Sequence, residues 1–196
     1  MKNRTGFSAL TLFVVMGLAS MASAAVLNSN QTSVTLTANA PESLTVALTG
    51  SSVDFGNVTP GSVNSSADTV QVTTTWKLKA GRNAVNVYAY FTDATNALVN
   101  ATNPGANPNI PSSAVKIQGG SVVGWTAVNS ASANTAGFGG AAAGLTLGAT
   151  TIDPSNKNGS TSPTYSFELD LTGGSMPQLP ADSYSGTLYI QAQATP

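Results

Sequence analysis

From Asp68 to Ala80 the chain reads DTVQVTTTWKLKA, and two classes of residue take turns along it. Val70, Val72, Thr74, Trp76, Leu78 and Ala80 fall on one side, and Gln71, Thr73, Thr75, Lys77 and Lys79 on the other. Successive side chains of a β-strand point to opposite faces, whereas a helix repeats every 3.6 residues. The stretch therefore describes a long, half-buried strand. The same period returns in AVNVYAYFTD (Val85, Val87, Ala89, Phe91), YSFELDL (Phe167, Leu169, Leu171) and TLYIQAQA (Leu188, Ile190, Ala192, Ala194). It also runs through SVTLTANA and SLTVALT, on either side of Pro41. Shorter apolar pieces, SAVKIQ, GWTAV and GLTLGATTI, fill the middle. Between the runs lie turn signals: Pro60-Gly61, Ala80-Gly81, Pro104-Gly105, Gly119-Gly120, Asn158-Gly159 and Gly173-Gly174. No segment carries a sustained helical period with caps. Roughly nine or ten short strands with turns between them predict an all-β fold, an antiparallel immunoglobulin-like sandwich. Residues 96–113 and 129–143 are the least patterned and read as long surface loops inside one domain.

The first residues read differently. Lys2 and Arg4 precede the apolar run FSALTLFVVMGLA, and Ala22-Ser23-Ala24 is a small-residue cleavage site. That order is the signature of a secretory signal peptide spanning residues 1–24. The run is shorter than the roughly 20 apolar residues that cross a bilayer. Cleavage after Ala24 leaves 172 residues, 25–196, the size of a single domain. It also removes Lys2 and Arg4, leaving five basic residues against eight acidic, a net charge of −3. With no Lys/Arg cluster, neither nucleic acid nor an anionic membrane is an expected partner, and no later run is long enough to span a membrane. The expected location is secreted: the periplasm, the cell surface or outside the cell. Cysteine is absent, so the exported chain must rely on its core without disulfides. That core is available, since 41% of the residues are hydrophobic and their spacing is regular.

Reactive chemistry has few carriers here. With no histidine and no cysteine, a Ser-His-Asp triad, a Cys-His pair and thiolate zinc sites are all excluded. The letters Asp54-Phe55-Gly56 match a kinase magnesium loop, but its nucleotide loop, strand lysine and His-Arg-Asp partners are missing. The stretch SSVDFGNVTPGS instead reads as a strand end, with Phe55 plugging the core, Gly56 allowing a bend and Pro60-Gly61 making a turn. Glu168 and Asp170 lie two apart on one strand face, with Cβ atoms roughly 6 to 7 Å apart. A glycosidase pair has such a separation. Because Phe167, Leu169 and Leu171 make the opposite face apolar, the acids are expected on the solvent face. DPSNKNGS at 153–160 has the oxygen-bearing residues of a calcium loop. It lacks the acidic count and the closing Glu, and Lys157 sits inside it, so it reads as a turn. No catalytic residue, metal or cofactor is expected. Tyr88 and Tyr90 share one strand face, and Tyr189 lies on the outer face of the last strand. Exposed aromatics of this kind stack on sugars or seed interfaces; a crossing loop or second sheet would equally bury them.

Three segments, SVTLTANAPESLTVALTGSSVDFGNVTPG, DTVQVTTTWKLKAGRNAVNVYAYFTD and LPADSYSGTLYIQAQATP, together resemble the spore coat protein U-like and pilin-like secreted domains of bacteria. Shared features are a pair of alternating strands leading into an Asp-Phe-Gly turn, a following strand pair, and a closing Tyr-Ser-Gly-Thr-Leu hairpin strand. The resemblance covers both ends of the exported chain and not its middle. Those domains often carry a cysteine pair tying the second strand to a later one; here Leu44 and Thr73 or Thr74 stand near the corresponding places. The resemblance implies a non-catalytic structural or surface-fibre subunit. Its partners would be copies of itself or other envelope subunits, joined by an exchanged strand. Val34, Leu36 and Ala38 carry the alternation suited to that donation. Residues 25–40 read equally as the first strand of their own domain. The alternative function is an extracellular module binding glycan or another envelope component through Tyr88, Tyr90 and Tyr189 and the long loops.

Overall fold

The computed structural model describes residues 30–102, 104–105 and 108–196. The expected signal peptide, residues 1–24, lies outside the described residues. The chain up to Asn39 and the stretch Ala40–Pro196 form two separate units. In the first, residues 30–39 belong to no strand and every one is exposed. SVTLTANA, expected as a strand on its alternation, is therefore not one. An alternating segment without a hydrogen-bonding neighbour has nothing to hold it in a sheet.

The described residues of the second unit form eleven strands: β1 (Ser43–Thr49), β2 (Val63–Lys77), β3 (Ala84–Tyr90), β4 (Val99–Asn100), β5 (Val115–Gly119), β6 (Val122–Ala127), β7 (Gly144–Thr151), β8 (Asn158–Thr161), β9 (Thr164–Asp170), β10 (Tyr184–Ser185) and β11 (Tyr189–Thr195). Every pairing is antiparallel, so the all-β expectation holds. Among the described residues helix is limited to one turn, α1 (Ser132–Thr135), and two 3-10 turns at Ser112–Ala114 and Met176–Gln178. The larger sheet runs β1-β2-β9-β5-β6, with β8 also beside β2. The smaller runs β11-β3-β7, and β10 pairs with β4. Strand β2 spans two neighbours in succession, β9 along Val63–Gln71 and β8 along Thr74–Lys77. The Asn158-Gly159 turn expected from sequence is thus the start of β8.

The alternation decides what is inside. Val70, Val72, Thr74, Trp76 and Leu78 are all buried. Phe167, Leu169 and Ile117 join them from the larger sheet, against Val87, Ala89, Leu145 and Leu147 from the smaller. A satellite cluster of Trp76, Leu78, Val85 and Ile152 closes one end, where the Trp76 indole N–H donates to the Asn156 carbonyl at 2.9 Å. Phe55 packs half-buried on the core beside Val53, as expected. Gly56 turns the chain at φ 61°, and the Asp54 carboxylate accepts the Gly56 amide at 2.8 Å. Asp54 thus shapes a turn.

The two unpatterned stretches are not merely surface loops. Ala97, Ile110, Ala133 and Ala143 from them are buried in the core region. Residues between β6 and β7 also stitch one side of the sandwich. The Val128 amide bonds Val115 on the larger sheet, and Ser130 exchanges two hydrogen bonds with Gly144 of β7, at 2.6 and 3.0 Å. Among the described residues no such backbone stitch closes the opposite side.

Candidate functional site

On that opposite side the outermost strands of the two sheets, β1 and β11, touch along part of their length and leave a narrow apolar groove between them. Leu44, Val46 and Leu48 of β1 lie in register with Trp76, Thr74 and Val72 and point inward. Ile190, Ala192 and Ala194 of β11 lie in register with Ala89, Val87 and Val85 and point inward too. Among the described residues each strand has a neighbour on one side only, so these side chains are only partly covered, and Leu48 is 45% exposed. Among the described residues no backbone hydrogen bond joins β1 to β11. A depression of about 340 Å³ opens at one end, floored by Leu44, Leu78, Ala192 and Ala194 and rimmed by Glu42 and Arg82.

Arg82 straddles that end. Its Nε donates to Glu42 Oε1 at 3.0 Å and its Nη1 to the Ala194 carbonyl at 3.2 Å. Lys79 adds an ion pair to the same carboxylate at 3.8 Å. The guanidinium hydrogen bond holds the Glu42 carboxyl below its usual range, against a smaller opposing effect of burial.

Residues 30–39 offer what such a groove lacks. Val34 is 84% and Leu36 89% exposed, and Ala38 is exposed as well. Ser33, Thr35, Thr37 and Asn39 occupy the intervening positions. In extended form this segment has one apolar and one polar face.

The expected surface aromatics are only partly on the surface. Tyr88 is buried, at 9% exposure, because Phe138 crosses it with centroids 5.9 Å apart. Tyr90 stands between Phe138 and Tyr189, at 5.9 and 5.5 Å, and its hydroxyl donates to Gln191 Oε1 at 2.9 Å. Only Tyr189, at 45%, is well exposed.

The carboxylate pair also departs from expectation. Glu168 and Asp170 do share a face, but Glu168 is 5% exposed rather than solvent-facing. The Lys116 ammonium lies over both, 3.7 Å from Glu168 Oε1 and 2.7 Å from Asp170 Oδ2. That ammonium, helped by Thr172, holds the Asp170 carboxyl at about 2. With one ammonium seated on both carboxylates, this arrangement reads as an ion-paired cluster. At 153–160 the Asp153 carboxylate caps its own turn, accepting from the Ser155 amide and hydroxyl at 2.7 and 2.6 Å. Among the described residues no cluster of acids gathers to hold a metal ion, and no helix is long and apolar enough to cross a membrane.

Arg82 and Phe138 were not singled out from sequence. The Arg82 contacts join positions 42, 82 and 194, which no local pattern links. Phe138 did give a signal, as the lone aromatic in a Gly/Ala-rich stretch. Compared with family models, curated proteins and solved structures, the chain matches none.

Proposed function

We propose that the protein is an exported structural subunit that assembles with copies of itself by strand donation. In this reading residues 33–39 of one copy lie in the β1/β11 groove of the next. One observation carries it: an unpaired, alternating apolar segment and an unfilled groove between two sheet edges occur in the same chain. Their lengths agree. Val34 to Ala38 and Leu44 to Leu48 each cover four residue steps, about 13 Å of extended chain. The added strand pairs with exposed N–H and C=O groups on an edge while its apolar face covers the half-buried row. Burial of Val34 and Leu36 contributes on the order of 3–6 kcal/mol, and edge hydrogen bonds add to it against the cost of association. The resemblance to coat-like and pilin-like domains points the same way. Glycan binding has less support, because Tyr88 lies under Phe138 and Tyr90 is packed between two rings.

The test is sedimentation of residues 25–196 over a range of concentrations, beside Leu36→Asp. The expected result is concentration-dependent oligomers for the native sequence. Leu36→Asp should remain monomeric at an unchanged unfolding temperature, since Leu36 supports no fold contact when 89% exposed. A native chain that stays monomeric at high concentration, or a variant that assembles equally well, refutes the reading.

A further inference from the structure

Strand donation leaves one question that alternation alone does not answer. A strand repeats every two residues, so sliding it by two keeps its apolar face inward. Thr32-Val34-Leu36, Val34-Leu36-Ala38 and Leu36-Ala38-Ala40 are then competing fits to the same groove. Something in the groove must choose among them.

We propose that Arg82, clamped between Glu42 and the Ala194 carbonyl, is the end-stop that sets the register of the incoming strand of a second copy. The inference rests on the strand-donation reading above. Its argument is positional. The guanidinium is bonded to the residue just before β1 and to the penultimate residue of β11, so it crosses the groove from edge to edge. At the far end, Leu48 of β1 is 45% exposed, and among the described residues no hydrogen bond crosses there. The groove is barred at one end and open at the other. The bar is firmly seated. The Lys157 ammonium donates to the Arg82 carbonyl at 2.5 Å, and Leu78 and Val85, on either side of Arg82 in sequence, are buried in the Trp76 cluster.

The Ala194 carbonyl is already an acceptor for Arg82, which competes with a backbone ladder at that residue. A strand slipping two residues toward this end would press an apolar side chain onto the guanidinium–carboxylate pair and strip water from it. Desolvating a paired charge without a new partner is unfavourable, so the slipped register is rejected. Slips the other way withdraw an apolar side chain from the floor formed by Leu44, Leu78 and Ala194. One register survives both constraints.

The absence of native cysteine makes the register directly readable. The probe is a synthetic peptide of residues 25–40 with one cysteine, at position 34, 36 or 38. The recipient is the 25–196 chain carrying Val46→Cys, with Leu36→Asp to disable its own donor segment. A disulfide needs Cβ atoms about 3.5–4.5 Å apart, so mild oxidation captures only the peptide residue opposite position 46. With Arg82 present, one of the three peptides is expected to dominate the product measured by mass spectrometry. With Arg82→Ala, capture should spread to peptides shifted by two residues, while affinity falls by no more than about fivefold, the scale of an exposed ion pair. Arg82→Lys keeps a cation, cannot span both partners, and should spread capture in the same way; it serves if the alanine variant folds poorly. A single unchanged register in a folded Arg82 variant overturns the end-stop and leaves strand donation standing. No capture of any peptide with Arg82 intact overturns strand donation itself.

Discussion

Thr74 offers a sharp test of how the core is built. Its side chain is 1% exposed and faces inward between Val72 and Trp76, with Val46 of β1 and Thr161 of β8 opposite it. Its Oγ1 finds no hydrogen-bond partner among the described residues. A buried hydroxyl without a partner costs about 1–3 kcal/mol by the scale of mutational data. Valine has the same branched shape and the same strand preference, so Thr74→Val removes that cost while leaving packing nearly intact. The expected gain is about 1 kcal/mol, which for a chain of this size raises the unfolding temperature by about 2–4 °C. Thr74→Ser is the complement: it keeps the hydroxyl and deletes the methyl, and should lose about 1 kcal/mol. Urea unfolding followed by Trp fluorescence measures both, with m-values unchanged from the native chain. A lower midpoint for Thr74→Val refutes the reasoning, because it would mean that the hydroxyl is bonded in solution.

Two further outcomes follow from the same packing. Gly159→Ala places a Cβ 2.8 Å from the Trp76 ring, and the indole bond to Asn156 limits its retreat, so stability should fall by about 1–3 kcal/mol with a red-shifted Trp emission; an unmoved urea midpoint contradicts this. Asp93 and Asp170 are both held at about 2, below the 3.8 of a free side chain, by Asn96 and Thr95 in one case and by Lys116 and Thr172 in the other. Because the folded values are the lower ones, their stabilisation is complete above about pH 4 and is lost as pH falls toward 2. Urea midpoints measured from pH 6 to pH 2 should decline in that window, and a flat profile would refute the assignment.

How much of this was legible beforehand depends on the range of the interaction. Asp68–Ala80 announced β2 because burial of one face is written every second residue, and Val70, Val72, Trp76 and Leu78 are buried as that period requires. Phe55 and Gly56 were readable as a plug and a bend because turn chemistry acts over a few residues. The failures share a cause. SVTLTANA and SLTVALT alternate equally well, yet only the second pairs with β2, since alternation states which face is apolar and not whether an edge is available. Glu168 looked solvent-facing because its strand put it opposite Phe167 and Leu169, and the cover came from Lys116 on β5, a strand far away in sequence. Tyr88 was covered in the same way, by a loop ring more than 40 residues on.

Local spacing and composition by themselves therefore determined the fold class, the inward face of the longer alternating strands and the absence of histidine and thiol chemistry. Those properties depend on residue type and on a period of two, both present in a linear string. The tertiary structure decided which strands become edges, that β1 and β11 confront each other without a strand between them, and that Glu42, Arg82 and Ala194 meet at one end. Such meetings cost chain entropy to close and leave no periodic trace, so they exist only once the sheets have stacked.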